Sequence, residues 1–132
     1  MKLNYDCVRD VLLTCEKAPT LSPDLEFEYL WLKDFKNALP DYSVEDIVYT
    51  LILLDEAGYI DCLCIDSDTQ IMNMRIHRLT YTGHEFLETI RPEKLWKKTL
   101  GILSKVGSVT LPLISDTATN LLTSAITDLL SQ

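Results

Sequence analysis

The sequence predicts an α+β fold: a winged helix-turn-helix-like domain with a two-stranded wing, followed by C-terminal helices. One observation behind this is the order of elements: helix, short strand, helix, a long capped helix, then two β-rich runs around a polar turn. A second is the punctuation at the junctions, which this fold commonly shows. Here it reads Leu53-Leu54, Gly58-Tyr59-Ile60, and Leu79-Thr80 through Gly83 to Phe86-Leu87. The third is size, since 132 residues at 47% apolar and 24% charged fit one modest core plus a helical tail. We place the winged-helix-like domain at residues 1–91 and a helical packing or oligomerisation segment at 92–132. An unrelated α+β arrangement with the same element order is the competing fold.

Each element has its own signal. Leu3, Cys7, Val8, Val11, Leu12 and Cys15 fall on one helical stripe, and Pro19 stops the helix. Leu25, Phe27 and Tyr29 alternate with Glu26 and Glu28, which predicts a short half-buried strand. Trp31 to Leu39 reads as a short helix ended by Pro40. In YSVEDIVYTLILLDEAGYI, Ser43 is the N-cap with Asp46 three residues on. Ile47, Val48, Leu51 and Leu54 form the inward stripe, and Gly58 takes the C-terminal cap. The runs YIDCLCI and IMNMRIHRL around DSDTQ make a hairpin at 59–79. Thr82 and Glu85 read as a capping box opening a helix to about Arg91. Pro92 favours the start of the next helix, which runs to Gly107, and Pro112 the start of the last, 112–130.

The last helix has apolar residues at Leu111, Ile114, Ala118, Leu121, Leu122, Ala125, Ile126, Leu129 and Leu130, spaced close to a coiled-coil period. The rest of its surface is mostly Ser and Thr, so it needs packing to persist. We expect it to pair with its own copy in a homo-oligomer, with Ile114, Ala118, Leu121, Leu122, Ala125 and Leu129 at the contact. The competing arrangement folds it back on helix 92–106. Lys105, Asp116 and Asp128 break the tail into runs shorter than the ~20 residues of a membrane span, and no membrane role is expected.

Charge is unevenly placed. Residues 1–70 hold five basic and fifteen acidic residues, net −10, while 71–132 hold seven basic and five acidic, net +2. Such a chain is poorly suited to coating nucleic acid. The helix at 44–57, which would enter the DNA groove in a reader of this type, carries Glu45, Asp46, Asp55 and Glu56 and no basic residue. At ~1 kcal/mol for a unit charge pair 4 Å apart in water, several such carboxylates near phosphates oppose binding by a few kcal/mol. The wing turn, Asp66-Ser67-Asp68, is acidic too. Glu45, Tyr49, Leu53 and Glu56 recur about one turn apart on the outward face, and an aromatic and aliphatic row rimmed by acids suits a protein partner. The same Tyr49 and Leu53 would equally pack on residues 25–39. A basic face at Arg91, Lys94, Lys97 and Lys98 is solvated, pairs with an acidic surface such as residues 41–68 of a second copy, or meets DNA if a dimer presents two such helices.

No residue pattern signals catalysis. The four cysteines at 7, 15, 62 and 64 include no CxxC pair and read as reduced thiols of a cytoplasmic protein. Cys62 and Cys64 would face the same way on a strand, but a zinc site there would need two more ligands from Cys7, Cys15, His77 or His84, none at ligand spacing. GILSKVGS lacks the order of a phosphate loop, and the acidic stretch 41–68 lacks EF-hand spacing. We expect no enzyme activity, cofactor or metal. Asp6, Arg9 and Asp10 interrupt any signal-peptide core.

Several strings resemble one family. MKLNYDCVRDVLL, YSVEDIVYTLILLDEAGYID, RLTYTGHEFLETIR, WKKT and KVGSVTL are similar to segments of the prophage-associated domain-of-unknown-function 2513 family of Gram-positive bacteria and their phages. The resemblance covers about residues 1–115; the last seventeen depart from it. It implies a phage or mobile-element origin, a bacterial host cytoplasm and a winged-helix-like fold, with no assigned catalytic residues. The expected function is non-enzymatic regulation or antagonism of a host or phage protein by protein–protein contact. The alternative is a transcriptional regulator that binds DNA as a dimer.

Overall fold

The structure, a computed structural model, describes residues 1–132 as an α+β protein with six helices and one small antiparallel sheet. The chain forms two compact units, Met1–His84 and Glu85–Gln132. In the first are α1 (Tyr5–Lys17), β1 (Leu30–Trp31), α2 (Leu32–Ala38), α3 (Val44–Glu56), β2 (Ile60–Asp66) and β3 (Ile71–Leu79). Helix α4 (Tyr81–Ile90) begins there and runs into the second, which holds α5 (Glu93–Val106) and α6 (Leu111–Leu130).

The first core follows the predicted stripes closely. Cys7, Val8, Val11, Leu12 and Cys15 of α1 are buried, with Asn4 capping the helix through Cys7 N–H at 3.1 Å. Helix α3 buries Ile47, Leu51 and Leu54; Thr50 joins them, and Val48 is only half-buried. The face turns because α3 packs against both α1 and β2, and Thr50 meets the Cys7 thiol there. Ser43 Oγ accepts from Asp46 N–H at 3.1 Å. Ser43→Ala is expected to cost about 1 kcal/mol in a denaturant melt, the usual worth of such a cap.

At its other end, α3 stops in a Schellman turn. Gly58 N–H donates to the Asp55 carbonyl at 3.0 Å and Tyr59 N–H to the Leu54 carbonyl at 2.9 Å. Gly58 sits at φ +81°, where a side chain would be strained. The chain then enters β2 directly. The sheet order is β1-β3-β2, with Leu30 opposite Ile76, Ile60 opposite Leu79, and irregularities at Asp61/Cys62 and Ile65/Asp66. Met74, Ile76, Leu79 and Ile60 face the core.

Two expectations need correction. The strand expected over Leu25–Tyr29 does not form; β1 is only Leu30–Trp31. Upstream, Ser22 and Leu25 close a turn, Leu25 N–H to the Ser22 carbonyl at 2.9 Å, and Leu21 bridges Phe27. Leu25 takes φ +66° and is 78% exposed, so the apolar alternation belongs to a surface loop rather than to the sheet. Likewise the cap of α4 is Thr80, not Thr82. Thr80 Oγ1 donates to the Gly58 carbonyl at 2.6 Å and accepts from Gly83 N–H at 3.0 Å. The first tie aims the hydroxyl that makes the second.

One buried-edge contact carries a pH signature. Tyr42 Oη donates to Asp10 Oδ2 at 2.6 Å. Burial, then this hydrogen bond and nearby carboxylates, raise the phenol well above its ordinary value of 10.0. The folded state therefore favours the neutral phenol. Its contribution is full below the unfolded value and is lost as pH climbs from there toward the folded one. Wild type is expected to lose stability above about pH 10 more steeply than Tyr42→Phe, read from urea melts across that range.

In the second unit, Phe86, Leu87, Ile90, Trp96, Leu103, Ile114 and Ala118 are buried, with Thr99 among them. Pro92 caps α5. Gly107, at φ +89°, ends it with its N–H on the Leu103 carbonyl at 2.9 Å. Thr110 Oγ1 then accepts from Leu113 N–H at 3.2 Å and starts α6. Helices α5 and α6 thus pack together as a hairpin within one chain. Ile114 and Ala118, expected between copies, are already buried in the chain, because the short Gly107–Thr110 turn returns the start of α6 onto α5. No helix of the protein is long and apolar enough to cross a membrane.

Candidate functional site

Three surfaces carry chemistry. On the outward side of α3, Glu45 and Glu56 are exposed, but Tyr49 and Leu53 are half-buried. The row expected there is therefore an acidic rim over a partly used apolar strip. Asp55 is committed inside the unit: its Oδ1 accepts from Cys62 N–H at 3.2 Å. That bond covers one donor on the outer edge of β2, a strand otherwise lying at the rim of the sheet.

The outward face of the sheet is the more developed surface. Strand alternation puts Met74 and Ile76 inward and sends Asn73, Arg75 and His77 out. Tyr29 and Trp31 from β1 and its approach stand beside them. The Arg75 guanidinium lies 4.4 Å from the Tyr29 ring centre, Tyr29 lies 5.2 Å from the His77 ring, and Phe27 meets His77 edge-on at 4.8 Å. Arg75, Tyr29, His77 and Phe27 therefore form one continuous cluster of edge-on and tilted ring contacts. Leu63, 51% exposed, adjoins it opposite Arg75, and a depression of about 280 Å³ opens between Leu63, Asp55, Asp61 and His77. Arg78 pairs with Asp61 at 3.1 Å on its edge.

This face was missed in the sequence, although a signal exists. In IMNMRIHRL the alternate residues Asn73, Arg75 and His77 are polar, which marks a solvent face; what gathers there depends on the neighbouring strand and loop. The four basic residues expected on α5 and its approach divide in two. Arg91, just past the end of α4, pairs with Glu88 at 2.9 Å, and Lys97 with Glu93 at 3.3 Å within α5. Lys94 and Lys98 instead border a groove of about 420 Å³ with Leu95, Leu121, Leu122, Ala125 and Asp128. Of the expected oligomerisation residues, Leu121 and Leu122 are half-buried, and Ala125 and Leu129 are exposed.

The thiols are poor nucleophiles. Desolvation, then the Asp55 and Cys64 charges, pushes Cys62 up to about 12, and burial raises Cys7 and Cys15 as well. No group of three or more His, Cys, Asp or Glu side chains comes together to hold a metal ion. The arrangement offers recognition: rings in edge-on and tilted contact, a cation over one of them, and an exposed aliphatic side chain, Leu63.

Comparison with known proteins matches residues 2–110 to a family described as hypothetical protein, DUF2513. A relative from Haemophilus influenzae, described as an uncharacterized protein, is 28% identical over 96 residues, 73% of each chain. No solved structure matches the chain.

Proposed function

The chain belongs to the DUF2513 family, and from that premise we propose that it is a non-enzymatic winged-helix protein of phage or prophage type, acting by protein–protein contact. It regulates or antagonises a host or phage protein in the bacterial cytoplasm. The element order helix, strand, helix, helix, hairpin, with sheet order β1-β3-β2, supports the winged-helix reading. The phage origin rests on the resemblance of the long N-terminal strings. One observation carries the mode of action: α3, the groove helix of such a fold, presents Glu45, Asp46, Asp55 and Glu56 and no cation. Beside it the sheet offers Phe27, Tyr29, Arg75 and Leu63, side chains of the kind that anchor protein contacts.

Fluorescence anisotropy with labelled duplexes, including the gene's own upstream region, tests this at low salt. No saturable binding is expected. In parallel, a photo-crosslinker placed at Leu63 or Tyr49 in host cells should capture one protein, and Glu45→Lys with Glu56→Lys should weaken a capture made from Tyr49.

A second reading, a DNA-binding regulator acting as a dimer, is favoured by Lys94 and Lys98, which have no acidic partner within the chain. Salt-sensitive duplex binding that vanishes on charge reversal of Lys94, Lys97 and Lys98 would establish it and end the first reading.

A further inference from the structure

The C-terminal unit is unequal by construction. Helix α5 has 14 residues and α6 has 20, so at ~1.5 Å per residue α6 is about 9 Å longer than the helix it returns along. Beyond the shared part, Ile126, Leu129 and Leu130 are 55%, 68% and 81% exposed. Their spacing of three and four puts them on one stripe, continuous with Leu122. Between the stripe and α5 lies the groove lined by Leu95, Leu121 and Ala125, with Lys94, Lys98 and Asp128 at its border. No ion pair inside the chain uses any of these three charges.

We infer that this groove receives the end of α6 from a second copy of the chain, giving a two-fold dimer held by the C-terminal units. A two-fold contact requires a surface that complements itself. This one does: an apolar ridge, Ile126 and Leu129, stands beside an apolar groove of matching kind. Asp128 of one copy can answer Lys94 and Lys98 of the other. Net charge selects the same unit. Residues 1–84 hold fifteen acidic and seven basic residues, net −8, whereas 85–132 hold five of each, net zero. Two copies repel through their first units and meet without that cost through their second. Packing agrees, because the exposed end of α6 has few neighbours within the chain to hold it helical.

Sedimentation equilibrium of the full chain at micromolar concentration is expected to give twice 15.1 kDa. Leu129→Glu, at an exposed position, should keep the circular dichroism of wild type and raise the dimer dissociation constant at least tenfold. Asp128→Lys should weaken the dimer, and adding Lys94→Asp and Lys98→Asp should restore it. A wild-type mass of 15.1 kDa throughout overturns the inference. So does a dimer indifferent to both Leu129→Glu and Asp128→Lys, since it would be built elsewhere. Monomeric protein that co-sediments with phosphatidylcholine–phosphatidylglycerol vesicles through Leu129 also overturns it, assigning the stripe to lipid.

Discussion

Gly83→Ala is expected to destabilise the first unit by about 3 kcal/mol or more, lowering the melting temperature by roughly 10 °C. A Cβ at Gly83 would collide with the Tyr59 carbonyl, and the atoms in the way are backbone. They cannot move aside cheaply, because Tyr59 is fixed from three sides. Its N–H closes the Schellman turn on Leu54, its carbonyl accepts from Thr80 N–H at 3.0 Å, and Thr80 Oγ1 holds the Gly58 carbonyl. Any shift that makes room breaks a cap at the end of α3 or at the start of α4. Gly101→Ala supplies the control. It lies inside α5 with nothing within 4 Å of the added methyl, so it should stabilise by about 0.5–1 kcal/mol. Differential scanning calorimetry of the two variants should move in opposite directions; a neutral Gly83→Ala would show that the junction is looser than described.

Phe35→Ala should cost about 3–5 kcal/mol, the range for emptying a fully buried aromatic site. Phe35 is 0% exposed and is the one buried side chain of α2. That helix has seven residues, too few to stand without packing. Phe35 therefore carries the docking of α2 against α1, α3 and β3 almost alone. Urea melts should show the loss, and hydrogen exchange should show the amides of 32–39 losing protection first. Phe35→Leu, which keeps most of the volume, is expected to recover more than half of it.

Legibility varied with the range of the interaction involved. The stripe of α1, the Ser43 cap, the Gly58 turn and the hairpin around Ser67–Gln70 were readable because each rests on residues within a few positions of one another. The Leu25–Tyr29 alternation misled for the same reason: a period-two pattern is also compatible with a loop, and Ser22 and Pro23 bend the chain there first. Thr82 and Glu85 had the spacing of a cap, yet Thr80 takes the role, since its hydroxyl is aimed by Gly58, twenty-two residues away. The cluster of Arg75, Tyr29, His77 and Phe27 joins side chains nearly fifty residues apart and has no local pattern.

By itself the sequence settled the α+β class, the main helical stripes, the Ser43 and Gly58 caps of α3 and the acidity of that helix, because periodicity, capping chemistry and charge are properties of short stretches of chain. It also placed an apolar stripe on α6. Only the tertiary structure decided which part of that stripe is already occupied. The short turn at Gly107–Thr110 brings α5 back over Ile114 and Ala118 and leaves Ile126, Leu129 and Leu130 bare. Whether an apolar residue is core or surface depends on what reaches it in space, and spacing along a helix does not contain that.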